Sequence, residues 1–167
     1  MKKIIAVSGS SGGDENLTED ILGIAEKVGY LIGKKGGILV CGGLSGIMEA
    51  ASKGAKKAGG ITVGILPYEK EKANRYIDIP IPTYLGFYRN YVLVSSADSV
   101  ISICGRWGTL NETAFSISIG KPTIILAGTG GISDIFSSEE ILNKFKRKPS
   151  IAKTPEEAVD LAFTLKK

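Results

Sequence analysis

Three apolar runs in this chain each open into a glycine-rich loop that leads directly into a helical pattern. They are residues 3–7 with loop 8–13, residues 37–41 with loop 42–46, and residues 99–103 with loop 104–109. Short β-branched runs of this kind are typical of strands buried in a parallel sheet. Strands that alternate with helices over short loops predict an α/β fold, a three-layer, doubly wound and mainly parallel sheet of the Rossmann-like type. No linker or repeat interrupts the pattern, so residues 1–167 are predicted to form one Rossmann-like domain.

The remaining segments fit the same alternation. A helix is predicted to begin at Asn16-x-x-Glu19 and to end at the lysines and glycine of residues 34–36. Residues 77–82 are predicted to be extended, because each proline in this segment biases the residue before it away from helix. The other predicted elements are a helix that ends at residues 56–60, strands at 61–66 and 122–126, one helix over 85–97, and helices that begin at 137 and 154.

The glycine loops follow the carboxyl ends of their strands, which is where open α/β sheets bind ligands. A strand order of 3-2-1-4-5 would place Cys41 and Cys104 on either side of strand 1. Two strand spacings are about 9–10 Å, which exceeds the roughly 7 Å that a disulfide spans between Cα atoms. The two cysteines are therefore predicted to be unpaired, and this cysteine usage fits a reducing compartment.

The third loop, which begins at Cys104, has the features of an anion site. A helix that starts after a glycine loop directs its N–H groups and the positive end of its dipole at a ligand. Gly105 and Gly108 permit close backbone approach, and Thr109 adds a hydroxyl. The same residues also fit a capping box, in which Thr109 caps the helix and Glu112 reaches back to the amide of Thr109. Both interpretations stay open at this point.

The loops lack the signatures of the common large nucleotides. The first loop has only Gly9-x-x-Gly12, and Cys41 ends the second strand with no carboxylate to hold a ribose, which disfavours NAD. The chain contains no Gly-x-x-x-x-Gly-Lys-Ser/Thr, which disfavours an ATP-type P-loop. What remains is a smaller phosphorylated ligand, and we assign Ser10 and Ser11 of the first loop to its site.

The second loop contributes Gly42, Gly43, Gly46 and the following Met48 to the same predicted site. The alternative is that the glycines only permit a sharp turn and tight packing between helix and sheet. Met48 likewise fits core filling as well as ligand contact.

Composition excludes several function classes. The net charge is +4, from 21 basic and 17 acidic residues, and the lysines are scattered, which disfavours nucleic acid as a partner. The chain has no histidine, which excludes Ser-His-Asp and Cys-His catalysis and disfavours a metal site. No apolar run approaches the roughly 20 residues of a membrane helix. We therefore expect a cytoplasmic protein with no membrane association.

Four motifs in sequence order carry a family resemblance. They are Gly42-Gly43-x-x-Gly46-x-Met48-x-Ala50, Gly64-Ile65-Leu66-Pro67, Arg89-Asn90 and Gly105-x-x-Gly108-Thr109-x-x-Glu112. As a set, and with Ser8-Gly9-Ser10-Ser11 after the first strand, they resemble the LONELY GUY and molybdenum-cofactor-carrier group of Rossmann-like proteins. Members of this group often carry the label of lysine decarboxylases.

The resemblance implies an activity and its residues. The best-known members are phosphoribohydrolases, which cleave the N-glycosidic bond of a nucleoside 5′-monophosphate such as AMP and release the base. Their glycine motif holds the phosphate and supplies a catalytic glutamate, and an upstream arginine completes the pair. By position these residues are Glu112 and Arg89. The resemblance further implies a homodimer or larger homo-oligomer and a reaction that requires no cofactor.

Two positions depart from the family motif Pro-Gly-Gly-x-Gly-Thr-x-x-Glu. Cys104 replaces the proline, and Arg106 replaces the second glycine and adds a charge that could clamp a phosphate. The segments 73–74, 79–83 and 85–90 resemble the molybdenum-cofactor-carrier branch more than the hydrolase branch. The alternative function is therefore that of a non-catalytic carrier or sensor. Its ligand would be either molybdenum cofactor, which is a pterin phosphate, or a nucleotide. Trp107 would suit the pterin ring of such a ligand.

Two other functions are disfavoured. Single-strand DNA binding, known from a protein with a related sheet, would need more than scattered lysines. Lysine decarboxylation, despite the family label, needs a pyridoxal phosphate lysine in a suitable pocket, and the usual accompanying histidine is absent from the sequence.

Overall fold

The centre of the protein is a seven-stranded parallel sheet with the strand order β4-β3-β2-β1-β5-β6-β7. The computed structural model describes residues 1–166. Its strands are β1 (Ile4–Gly9), β2 (Ile38–Cys41), β3 (Ile61–Leu66), β4 (Ile79–Pro82), β5 (Ser99–Ile103), β6 (Thr123–Leu126) and β7 (Ser150–Ala152). The predicted α/β, Rossmann-like fold class is confirmed.

Helices connect these strands on both sides of the sheet. They are α1 (Glu19–Lys34), α2 (Ile47–Lys57), α3 (Arg89–Ser96), α4 (Trp107–Ser118), α5 (Gly131–Ser137), α6 (Glu139–Leu142) and α7 (Pro155–Thr164). Short 3₁₀ turns lie at Lys70–Lys72 and Gly86–Tyr88. As predicted, the last helix has a proline at its start, and the Thr154 side chain caps it by accepting from the amide of Glu157.

Both faces of the sheet are buried under helices. Successive side chains of a strand point to opposite sides, so a central strand such as β1 contributes to both buried clusters. On one face, Ile5 and Val7 of β1 belong to a buried cluster with residues of α1, α2 and α7. On the other face, Ala6 belongs to a cluster with Leu93 of α3, and Phe115 of α4 packs against it. Three layers result, with the parallel sheet in the middle.

Helices α1 and α2 approach each other closely through two glycines. A Cβ on Gly29 would lie 1.8 Å from the carbonyl oxygen of Ala51, and a Cβ on Gly54 would lie 1.8 Å from that of Glu26. Because backbone lies at these points, neither position has room for a side chain. The contact fixes the place of α2, which begins directly after the second glycine loop.

The chain changes direction across the sheet at β1, which lies between β2 and β5. This switch point brings the first, second and third glycine loops to one edge of the sheet. The predicted order 3-2-1-4-5 corresponds to β3-β2-β1-β5-β6 and is confirmed, and β4 and β7 extend it at either edge. Cys41 and Cys104 are both buried and unpaired, as predicted.

The predicted start of the first helix at Asn16 is wrong. Thr18 is the N-cap, and its side chain accepts a hydrogen bond of 3.3 Å from the amide of Ile21. The amide and the side-chain nitrogen of Asn16 both donate to Oδ1 of Asp14, at 3.0 Å. A carboxylate two residues earlier therefore draws Asn16 into the loop.

The single helix predicted over residues 85–97 is also wrong. Positive φ angles at Tyr84 and Gly86 interrupt the chain there, a 3₁₀ turn follows, and α3 begins only at Arg89. Helix α5 and strand β7 were not predicted. Strand β7 has three residues, which is too short for an apolar period to show.

Candidate functional site

The backbone of the third glycine loop is held in a conformation that few residues adopt. Cys104 and Gly105 have φ angles of +54° and +107°. A Cβ on Gly105 would lie 2.4 Å from Cβ of Thr109, so the turn requires glycine. The loop is fixed by the β6–α5 connection and the start of α5, since the Cys104 amide donates to Oγ1 of Thr129 at 2.8 Å and the Gly105 carbonyl accepts from the Ile132 amide at 2.8 Å.

Helix α4 begins immediately after this loop with an open N-terminus. Arg106 is the N-cap but its side chain makes no capping bond, and the first helical hydrogen bond runs from Leu110 to the Arg106 carbonyl at 2.8 Å. The helix therefore provides no partners for the amides of residues 107–109. The capping-box interpretation is wrong, because Thr109 lies inside the helix and the carboxylate of Glu112 bonds elsewhere.

Glu112 is a buried carboxylate with two partners from other elements. Oε1 accepts from Nη1 of Arg89 at 3.1 Å, and Oε2 accepts a short hydrogen bond from the Ser8 hydroxyl at the end of β1. Burial raises the pKa of Glu112 above its usual range, while the charge of Arg89 and the hydrogen bond from Ser8 oppose that rise. The three side chains connect β1, α3 and α4 at the edge of the sheet.

Gly42 makes room for this arrangement. A Cβ at Gly42 would lie 2.4 Å from Nη1 of Arg89, so the guanidinium occupies the space that a side chain would need. Tight packing, the alternative considered for this loop, accounts for the other two glycines. A Cβ on Gly43 would lie 2.8 Å from Cδ2 of Leu66, and one on Gly46 would lie 2.4 Å from the Ser10 carbonyl oxygen.

Arg106 is held by a buried carboxylate of the first loop. Its Nε lies 3.5 Å from Oδ2 of Asp14, whose side chain is fully buried, whereas about half of the Arg106 side chain is exposed. The Ser10 hydroxyl also donates to Oδ2 of Asp14. Burial would raise the pKa of Asp14, but the hydrogen bonds from Ser10 and Asn16 and the charge of Arg106 together hold it below its usual range.

These side chains surround a cleft of about 400 Å³ at the carboxyl edge of the sheet. The predicted site residues that line it are Ser10, Ser11, Met48, Arg89, Arg106, Trp107, Gly108, Thr109 and Glu112. The predicted residues Gly42, Gly43, Gly46 and Gly105 are not in its lining; they lie behind it and set the course of the backbone.

Two polar groups of the site and part of its apolar wall were not predicted from the sequence. These polar groups are Ser8, near the end of an apolar strand, and Asp14, the first carboxylate after the first glycine loop. Their positions are the signals in the sequence that could have indicated them. Tyr68 and Phe87 line the cleft and are largely exposed, as is Trp107. No motif marks Tyr68, whereas Phe87 lies in the segment 85–90 that resembles the carrier branch.

Residues 1–166 show neither a membrane-spanning helix nor a cluster of metal ligands. None of the helices there is both long enough and apolar enough to cross a membrane. Across the same residues, no group of three or more acidic or cysteine side chains is arranged to hold a metal ion.

Comparison with known proteins identifies the family. The family model described as SLOG cluster4 matches residues 2–159. The chain belongs to the SLOG cluster4 family. The predicted resemblance to the LONELY GUY and molybdenum-cofactor-carrier group is thereby confirmed, since solved structures similar to this SLOG protein include carriers of that cofactor.

Similar proteins cover most or all of this SLOG cluster4 chain. An uncharacterized protein of Archaeoglobus fulgidus is 43% identical over 116 residues, which are 66% of this chain and 77% of that protein. The molybdenum cofactor binding protein from Rippkaea orientalis is 38% identical with a TM-score of 0.87, over 98% of this chain and 97% of that one. The molybdenum cofactor carrier protein MCP from Chlamydomonas reinhardtii is 31% identical with a TM-score of 0.83, over 99% and 98%.

Proposed function

We propose that this protein binds a phosphorylated, nucleotide-like ligand in the cleft and serves as a carrier of molybdenum cofactor. The observation that carries the proposal is the position of Arg106 at the open N-terminus of α4, where a cation and unbonded amides border the same cleft. Similarity over nearly the whole chain to proteins named for binding or carrying this cofactor supports the same ligand.

The phosphate of the ligand is assigned to the first turn of α4. The amides of residues 107–109 precede the first helical hydrogen bond, and the helix dipole favours an anion there. Arg106 adds a full positive charge at the same end, and its ion pair with Asp14 limits where that charge can go. Ser10, which is bonded to the same carboxylate, adds a hydroxyl from the first loop.

The pterin ring is assigned to the aromatic mouth of the cleft. Tyr68, Phe87 and Trp107 line it with 54%, 78% and 79% of their surface exposed. Exposed aromatic faces of this size gain stability when another ring covers them. Trp107 is the first residue of α4, so a ligand with both a ring and a phosphate would contact neighbouring parts of the chain.

Hydrolysis of a nucleoside 5′-monophosphate is the second candidate function, and the Arg89–Glu112 pair favours it. Both residues line the cleft, and a carboxylate there would stabilise the positive charge that develops on a ribose as its C–N bond breaks. Both oxygens of Glu112 already accept hydrogen bonds, from Arg89 and from Ser8. A ligand would have to displace one of these partners, or share the oxygen with it, to contact the carboxylate. This arrangement favours the carrier.

A binding screen combined with a product assay separates the two functions. The carrier account expects a pterin phosphate to raise the Tm of the protein, with AMP and GMP left intact after incubation. Release of free base and ribose 5-phosphate by the wild type, but not by Glu112→Ala, would instead establish the hydrolase. A screen in which no phosphorylated compound changes the Tm would contradict both functions.

A homodimer or larger homo-oligomer is also proposed, on the basis of an apolar surface beside the cleft. This surface is formed by Tyr84, Leu85, Phe87, Tyr88, Tyr91 and Val92, all of which are exposed. Six exposed large apolar side chains within nine consecutive residues are a common mark of an interaction site.

A further inference from the structure

A second cavity lies at the other end of α4 and shares no lining residue with the cleft. Its volume is about 430 Å³, which is within the 300–1,000 Å³ range usual for small-molecule sites. The proposed carrier function makes no use of it. A ligand bound there would therefore be distinct from the one proposed for the cleft.

The walls of this cavity come from four parts of the chain. Helix α4 contributes Ile117, α5 contributes Phe136, and α6 contributes Ile141 and Leu142. The segment 145–149 closes the remaining side and is tied back to α4 by Arg147, whose Nη1 donates to the carbonyl oxygens of Ile117 and Ser118 at 3.2 and 2.7 Å. The result is a concave apolar space with a hydrogen-bonded wall.

The rim of the cavity is positively charged. Lys146, Arg147 and Lys148 line it, and none of its lining residues is acidic. Arg147 is engaged by the α4 carbonyls, and Lys148 donates to the side chain of Asn143 at 3.2 Å. Within residues 1–166, Lys146 has no side-chain partner, and the nearby carboxylate of Glu140 is paired with Lys144 instead. Lys146 is thus a cation available to a ligand at an apolar cavity.

We propose that this cavity binds an anionic amphiphile, a linear alkyl carboxylate. Its chain would lie among the apolar walls, and its carboxylate would meet Lys146 at the rim. The volume and the four walls favour a small molecule over an amphipathic peptide helix, because a helix with its side chains is about 10 Å wide and needs a groove that is open at both ends.

The test is calorimetric titration of the full chain with dodecanoate below its micelle concentration. We expect saturable 1:1 binding, with affinity rising by up to about fifteenfold for each two carbons from octanoate to dodecanoate. Dodecanol has the same chain without the charge, and we expect it to bind about fivefold more weakly or worse. AMP and pterin phosphates should not displace dodecanoate, because the two cavities are separate.

Two variants locate the ligand. Lys146→Glu reverses the exposed rim charge and is expected to weaken dodecanoate binding about fivefold or more. The matched control, Lys2→Glu, makes the same charge change at an exposed residue outside the cavity and should bind as the wild type does. Leu142→Trp should fill the cavity and abolish binding; if its Tm shows that it does not fold, Lys146→Glu still decides.

The proposal is overturned if dodecanoate does not bind, if dodecanol binds equally well, or if Lys146→Glu matches the wild type. It is also overturned if an acidic amphipathic peptide binds at this cavity more tightly than every alkyl carboxylate, since the occupant would then be a protein. None of these results bears on the phosphate cleft, which the Tm screen tests separately.

Discussion

Arg89 and Glu112 form an ion pair beside the cleft, with Nη1 of the arginine 3.1 Å from Oε1 of the glutamate. Their side chains are only 12% and 7% exposed, and they come from different helices, α3 and α4. A buried pair of this kind ties the two helices together, because either charge alone would be costly to keep out of water. The pair that the resemblance assigns to catalysis therefore also has a structural role.

Loss of one member of this pair is expected to destabilise the protein strongly. Arg89→Met and Glu112→Gln should each lower the free energy of unfolding by about 3 kcal/mol, because each leaves the other charge buried without its partner. The loss of unfolding free energy in the double variant should be clearly smaller than the sum of the losses in the two single variants. Urea denaturation measures all three, and additive losses would contradict the coupling.

Asp14 is expected to make stability depend on pH in the acid range. The pKa of Asp14 is held below the usual 3.8. The stability that the ionised carboxylate contributes is therefore fully present above pH 3.8 and is lost as the pH falls through the lowered pKa. Asp14→Asn should therefore be less stable than the wild type at neutral pH, and the difference should shrink below pH 3.8. Urea denaturation over a pH series measures the difference, and a constant gap would contradict the assignment.

The close contact of α1 and α2 predicts opposite effects for two glycines of the same helix. Gly29→Ala should destabilise the protein, because its Cβ would lie 1.8 Å from the Ala51 carbonyl oxygen. Gly23→Ala meets no atom within 4 Å and should be neutral or stabilising by up to about 1 kcal/mol, since alanine favours helix. Thermal unfolding of both variants checks this, and equal Tm values would argue against the contact.

The exposed apolar surface predicts self-association. Light scattering after size-exclusion chromatography should give at least twice the monomer mass for the wild type. Tyr88, with 82% of its surface exposed, is a central member of the surface, so Tyr88→Glu should shift the mass toward the monomer. The matched control is Phe145→Glu, which is also an exposed aromatic but lies outside this surface. A monomeric wild type would contradict the prediction.

The sheet could be predicted because its signals are local. The apolar run over Ser99–Ile103 forms β5 with the predicted bounds, and the glycines that follow it mark the turn into α4. Strand β7 escaped prediction, since three residues at a sheet edge carry no period.

The polar contacts of the site could be predicted only in part. The bond from Ser8 to Glu112 joins residues 104 positions apart, and nothing near either residue in the sequence indicates the other. The local motif at Thr109 fits a capping box as well as an anion site, and the capping box is wrong because the carboxylate of Glu112 accepts from Arg89 and Ser8. Residue types could thus be assigned to the site, but their partners depend on the fold.

Recognition of a phosphate by the first turn of α4 and by Arg106 can be measured in one calorimetric comparison. A pterin phosphate and its dephosphorylated form are titrated into the wild type, Arg106→Ala and Arg147→Ala. Arg147→Ala is the control, because it removes the same charge near the far end of α4. We predict that the phosphorylated form binds the wild type at least tenfold more tightly, a difference of about 1.4 kcal/mol. Arg106→Ala should lose most of that preference, and Arg147→Ala should keep it. Equal affinity of the wild type for the two forms would contradict phosphate recognition.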